Sequence, residues 1–161
     1  MANNRPVMQY VWPALALGVA AGLFYSSGLP GEVSGGASMG IISYARESIP
    51  ILQPLSEDTL HFLLRKGAHF SAYFILAFCT AHGLKYYLSG PGLSFTAWGL
   101  ASLYGVTDEI HQHFVPGRYC MAGDMLINAA GAAAGAALVW LYLNRRRTHR
   151  MEGDDSSMKP T

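Results

Sequence analysis

Four apolar runs, at residues 9–27, 67–85, 93–112 and 124–143, constrain this chain more than any other feature. The hydrocarbon core of a bilayer is about 30 Å thick and an α-helix rises about 1.5 Å per residue, so about 20 apolar residues span it. Lipid offers no partner to an open backbone, and runs of this length satisfy their own amides by coiling into helices. The expected fold class is all-α: a polytopic membrane bundle of four transmembrane helices with an amphipathic segment between the first two. Composition agrees, with 51% hydrophobic and 13% charged residues, where a soluble domain carries about a quarter charged.

The first run follows Arg5 and resembles a signal peptide in outline. It reaches spanning length, has no small-x-small site followed by a soluble domain, and precedes further spans, so it reads as a retained helix. Between the first two runs, residues 41–66 interleave Ile51, Leu52, Leu55, Leu60, Leu63 and Leu64 with Glu47, Glu57, Asp58 and Arg65. That pattern suits a helix lying in the interface, or a solvated loop with a short helix. Pro30, Gly31, Gly35 and Gly36 mark the start of this region as a flexible turn. Gly90-Pro91-Gly92 and Pro116-Gly117 punctuate the last three runs into antiparallel neighbours. Residues 1–144 form the membrane domain, and residues 145–161, polar and aperiodic, read as a disordered cytoplasmic tail.

Lys and Arg in the flanks set the orientation. With the N-terminus inside, the cytoplasmic side holds Arg5, Lys85, Arg145, Arg146, Arg147, Arg150 and Lys159, and the other side Arg46, Arg65, Lys66 and Arg118. Seven against four predicts both termini in the cytoplasm. A net charge of +1 with no basic stripe argues against nucleic acid as a partner. Cys79 lies in mid-run and Cys120 in a polar connection, so they form no disulfide and no CxxC pair.

That topology brings charged and polar side chains from three helices to one side of the bilayer. Lys66, His69 and Tyr73 fall within about 60° of one another on their helix, Tyr104, Asp108 and Gln112 within about 80°, and Asp124 and Asn128 within about 40°. Arg118 sits in the connecting turn, and Glu109 lies about 100° round from Asp108, toward a different neighbour. Residues 93–107 climb only about 22 Å, so Asp108 and Glu109 lie below the outer boundary. Ionisable groups at that depth cost a few kcal/mol each unless paired or facing a wet pocket. Polar groups also glue helices together in membranes, but adhesion needs one or two Asn, Ser or Thr contacts, not three carboxylates with a His, a Lys and an Arg. Metal ligation by His69, His113 and the carboxylates is conceivable on chemistry, yet no HExxH or other fixed ligand spacing assigns a metal, and no cofactor is named. His111 and His113 read as solvated rings at the mouth; His61, His82 and His149 read as solvated or interfacial. Gly131 and Gly135 form a GxxxG spacing on the face of Asp124 and Asn128, suited to close helix packing.

These residues fall within larger patterns: FYSS-x-x-PGE after the first run, RKGAHFSAYFILA entering the second, YGVTDEIHQHFVPGR ending the third, and D-x-x-x-N-x-x-G-x-x-x-G in the fourth. Together they resemble the VanZ-like family of bacterial membrane proteins, from about residue 24 to residue 135. The resemblance implies a small multi-pass protein of the bacterial cytoplasmic membrane, and the family's namesake is associated with resistance to the glycopeptide teicoplanin. The motif positions are Lys66, His69, Tyr73, Asp108, Glu109, Gln112, Arg118, Asp124 and Asn128. The stretch from Tyr119 to Gly123 departs from the more polar turn of many relatives.

Two functions follow. In the first, the chain is an enzyme acting on a phosphorylated or glycosylated membrane lipid or a lipid-linked envelope precursor, with Asp108, Glu109 and His69 as acid and base and Lys66, Tyr73, Gln112, Arg118, Asp124 and Asn128 binding substrate. In the second, the same cluster captures or shields an antibiotic or envelope precursor without transforming it. A proton-coupled carrier is a weaker third, since four helices without an internal repeat make a poor alternating-access machine.

Overall fold

The computed structural model describes the backbone of residues 7–157 and the side chains of residues 7–148. Every regular element among them is helical: α1 (Met8–Ser27), α2 (Gly31–Ser48), a 3-10 turn (Pro50–Leu52), α3 (Glu57–Leu84), α4 (Pro91–His113) and α5 (Ala122–Ser157). The four apolar runs each fall in a helix of their own. Two of these, α1 and the Ala122–Thr148 part of α5, are long and apolar enough to cross a membrane by length and composition; α3 and α4 fall short of that standard. Polar and small residues dilute their apolar runs: His69, Tyr73 and His82 in α3, and Ser94, Thr96, Ser102 and Asp108 with several glycines in α4.

Local chemistry explains the boundaries. Ser56 caps α3 by accepting the Thr59 amide at 3.2 Å, and Glu57 and Asp58 place negative charge on its positive end. Pro91 supplies the fixed φ of a first helical turn for α4, after Gly90 at φ +67°. The segment 41–66 is not a single amphipathic helix. It splits into the end of α2, the 3-10 turn and the first turns of α3, because Pro50 and Pro54 interrupt the helical ladder. Gly35 and Gly36, expected in a flexible turn, lie inside α2; only Pro30 and Gly31 punctuate. The stretch 145–157, expected as a disordered tail, continues α5. Extending a formed helix costs far less than nucleating one, and Arg is a good helix former.

The bundle is built on α3 and α5, with α4 and α1 packed beside them. Tyr73, Leu76, Ala77 and Ala81 of α3 meet Ala97 and Ala101 of α4 and Ala132, Ala136 and Val139 of α5 in one core. The small side chains let backbones touch: a Cβ on Gly131 or Gly135 would run into the Phe70 or Phe74 carbonyl oxygen. The GxxxG spacing therefore packs α5 on α3. At the other end, Gly83 leaves room for Pro13 of α1, whose ring a Cβ would meet at 3.1 Å. His82, expected as solvated or interfacial, is buried here, its ring 4.4 Å from Trp12 and 4.3 Å from Phe78, with Nδ1 3.1 Å from the Phe78 carbonyl.

Candidate functional site

The nine motif positions, Lys66, His69, Tyr73, Asp108, Glu109, Gln112, Arg118, Asp124 and Asn128, converge where α3, the end of α4 and the start of α5 meet. Helical register explains the convergence: Lys66, His69 and Tyr73 are spaced by three and four on α3, and Asp124 and Asn128 by four on α5. Asp108, Glu109, Gln112, Asp124, Asn128 and Tyr73 are all buried. The parallel packing of α3 and α5, with Gly131 against Phe70 and Gly135 against Phe74, brings their stripes face to face.

The cluster divides into two layers. One faces a cleft of about 490 Å³ between α2, the end of α1, α3 and α4. On its floor Asp108 Oδ2 accepts from the Tyr73 hydroxyl at 3.1 Å and from Gln112 Nε2 at 3.2 Å. Arg118 Nη1 donates in turn to Gln112 Oε1 at 3.3 Å. Its Nε and Nη2 donate to the carbonyls of Leu29 at 2.9 Å and Ser26 at 3.1 Å. Arg118 thus ties the α4–α5 connection to the end of α1. Burial first, and then the nearby Arg65 charge, lower its pKa from the usual guanidinium value, although a guanidinium stays charged throughout the physiological range. Val33, Ala37 and Ile41 of α2 give the cleft an apolar wall, and Ser34 and Ser38 a polar one.

The second layer lies behind, between α3, α4 and α5. Lys66 Nζ bonds to Asp124 Oδ1, and Arg65 Nη2 stands 3.7 Å from Asp124 Oδ2. Glu109 Oε2 accepts the Met121 amide at 3.3 Å, while its Oε1 lies 3.7 Å from His69 Nδ1. His69 Nδ1 also contacts Asn128 Oδ1 at 3.0 Å. His69 belongs to both layers, since it lines the cleft as well. Asp108 and Glu109, adjacent in sequence, face different layers, as the 100° step of a helix requires. Gly105 permits this close packing: a Cβ there would meet Asn128 and Tyr73 at 3.1 Å.

Four buried polar atoms in the cluster have no hydrogen-bond partner: Asp108 Oδ1, Glu109 Oε1, Asp124 Oδ2 and Asn128 Nδ2. Buried polar groups are nearly always bonded, so this concentration marks a place built for something besides adhesion.

Arg65, a flanking charge by its sequence position, pairs with Asp124 and lines the cleft. Its place directly before Lys66 was the available signal. His111, expected as a solvated ring, lies 3.1 Å from Ser27 Oγ and stacks on Phe24 at 4.4 Å, holding α1 to α4. His113, considered as a ligand, is exposed and packs edge-on against Phe114 instead.

No curated protein and no solved structure matches the chain. A family model described as VanZ/LLP1 matches residues 13–143, which take in every residue of the cluster, and on that match the chain belongs to the VanZ/LLP1 family.

Proposed function

We propose that this chain is a four-span membrane protein that admits the anionic head of a phosphorylated or glycosylated lipid to the cleft and acts on it by acid–base chemistry. The observation that carries the reading is the combination within one cleft of an apolar wall, two guanidinium groups, a buried carboxylate and an imidazole. Arg65 and Arg118 suit a phosphate, to which guanidinium groups donate in pairs. Three donors of Arg118 are engaged with protein oxygens, which leaves two of its five for a ligand. Asp108 has one oxygen held by Tyr73 and Gln112 and the other unpartnered. The free oxygen is the atom to take or return a proton, with His69 as the second titratable group at the cleft.

The four-span reading draws support from an inverted surface. Phe95, Trp98, Leu100 and Leu103 of α4, and Phe70 and Ile75 of α3, are exposed, while Asp108 and Glu109 of α4 turn inward. In water such a pattern would be unfavourable; in lipid it is required. At 23 residues, α4 is about 34 Å long and reaches across the hydrocarbon core. The placement of cluster and cleft on the outer side of a bacterial cytoplasmic membrane, suited to a lipid-linked envelope precursor, follows from the Lys and Arg asymmetry.

The test is native mass spectrometry of the protein released from mild detergent after incubation with defined lipids. An anionic phospholipid is retained, a zwitterionic one of equal chain length is not, and Arg65→Gln reduces retention at least tenfold. Equal retention of both lipids overturns the reading of the cleft. Asp108→Asn keeps the Tyr73 contact and retains lipid, but lowers turnover of a membrane lipid extract by about 10²- to 10⁴-fold. Unchanged turnover in that variant, or no turnover in the parent protein, removes the chemistry and leaves a binding protein.

A further inference from the structure

The layer behind the cleft is not absorbed by this function. Glu109 and Asp124 are fully buried, do not line the cleft, and each presents one oxygen that no donor satisfies. A nitrogen of His69 and one oxygen each of Glu109 and Asp124 lie within 4.8 Å of one another. From this juxtaposition we propose that His69, Glu109 and Asp124 form a binding site for a single divalent transition-metal cation in the layer behind the cleft.

Three observations carry the assignment. The first is distance: ligand atoms about 2.0–2.2 Å from a shared ion lie at most about 4 Å apart. His69 Nδ1 and Glu109 Oε1, at 3.7 Å, already meet that limit, and rotation about side-chain bonds closes the rest. The second is the pair of orphaned carboxylate oxygens, Glu109 Oε1 and Asp124 Oδ2. A cation satisfies both at once, which a single donor hydrogen cannot. The third is positional support. The Met121 amide holds the second oxygen of Glu109, the kind of outer contact that orients a metal ligand, and an ion on His69 Nδ1 takes the place of that nitrogen's contact with Asn128 Oδ1. One imidazole with two carboxylates selects a first-row transition ion over Mg²⁺ or Ca²⁺, which favour oxygen alone.

Lys66 is the resident competitor. Its ammonium occupies Asp124 Oδ1, its side chain is 17% exposed, and its Nζ lies 5.5 Å from the Phe62 ring. An incoming ion takes the other oxygen, Oδ2, from which Arg65 Nη2 stands 3.7 Å away, so Lys66 opposes it by charge rather than by holding the same atom. Because His69 also lines the cleft, the ion lies one side chain from whatever occupies that cleft. The site does not depend on the lipid reading, and it is tested without lipid.

The experiment is calorimetric titration of chelator-stripped protein in detergent with Zn²⁺. One equivalent binds; His69→Asn, Glu109→Gln and Asp124→Asn each weaken it at least tenfold, whereas Asp108→Asn stays within about twofold. Lys66→Gln binds more tightly than the parent, the sign opposite to a residue that merely maintains the fold. Should a ligand variant fail to fold, electron spin echo of the Mn²⁺-loaded protein decides, in a variant whose histidines other than His69 and His82 are Gln. Coordination by one imidazole nitrogen is expected there. Absence of stoichiometric binding, affinity indifferent to all three ligands, weaker binding by Lys66→Gln, or no imidazole coupling to Mn²⁺ overturns the site.

Discussion

Asp124 shows how much a single buried charge costs and what offsets it. Its carboxylate is fully buried, with Lys66 bonded to one oxygen and Arg65 3.7 Å from the other. Breaking a buried pair from one side leaves an uncompensated charge, worth about 3–5 kcal/mol, whereas replacing both members by apolar groups of similar volume is often neutral. Asp124→Leu alone should therefore lower the melting temperature in detergent sharply, while Lys66→Met with Asp124→Leu recovers most of the loss. Thermal unfolding of the two singles and the double measures this coupling, and simple additivity would show that the pair does not interact. The same logic separates neighbours in the chain: Asp108 is bonded by Tyr73 and Gln112 on the cleft side, and Glu109 by the Met121 amide behind it.

Helices here pack as closely as their smallest residues allow, and glycine substitutions report where that matters. A Cβ on Gly131 would overlap the Phe70 carbonyl, so Gly131→Leu forces α5 off α3 and costs about 1–3 kcal/mol or more. Gly35 and Gly36 lie inside α2, and a Cβ added to either would have no neighbour within 4 Å. There Gly→Ala removes backbone freedom from the unfolded chain and should stabilise α2 by about 0.5–1 kcal/mol. Gly31, four residues earlier, behaves oppositely: its amide bonds to the Pro116 carbonyl at 3.0 Å and a Cβ would strike Gly117. Gly31→Ala should open the junction between the α1–α2 and α4–α5 connections. Helix content and melting in detergent distinguish the three outcomes, and a stabilised Gly31→Ala would contradict the close approach.

At the scale of the molecule, the cluster, the cleft and the α2 connection lie at one end of the bundle, and Lys85, Arg146 and Arg147 at the other, where Lys85 and Arg147 line a cavity of about 280 Å³. The Lys and Arg residues at that end are what the orientation rule counts. A reporter fused after Arg150 should report the cytoplasm, and one inserted at Gln53, in the turn before α3, should report the outside. Gln53 lies outside the helices, so an insertion there interrupts none of them. A reporter after Arg150 that reads extracytoplasmic would invert the orientation and turn the cleft inward.

By itself the sequence placed four apolar runs, each in a helix of its own, and the polar face of three of those helices, because both follow from local periodicity and chain length. It placed Lys66, His69, Tyr73, Asp108, Gln112, Asp124 and Asn128 on stripes that had to meet, since charges at that depth have nowhere else to go. Three things were decided only by the tertiary structure. Arg65 joins the network, because reaching Asp124 depends on how α3 is rotated against α5. Residues 41–66 divide among three elements, and the choice between the single helix and the broken segment that the pattern left open falls to the second because α2 packs back on α3 across Pro50 and Pro54. The split between a cleft-facing Asp108 and an inward Glu109 acquires chemical meaning only through their partners. Those partners come from other helices, and the approach that brings them within a few ångströms is set by small residues such as Gly105, Gly131 and Gly135, whose effect lies in what fails to collide.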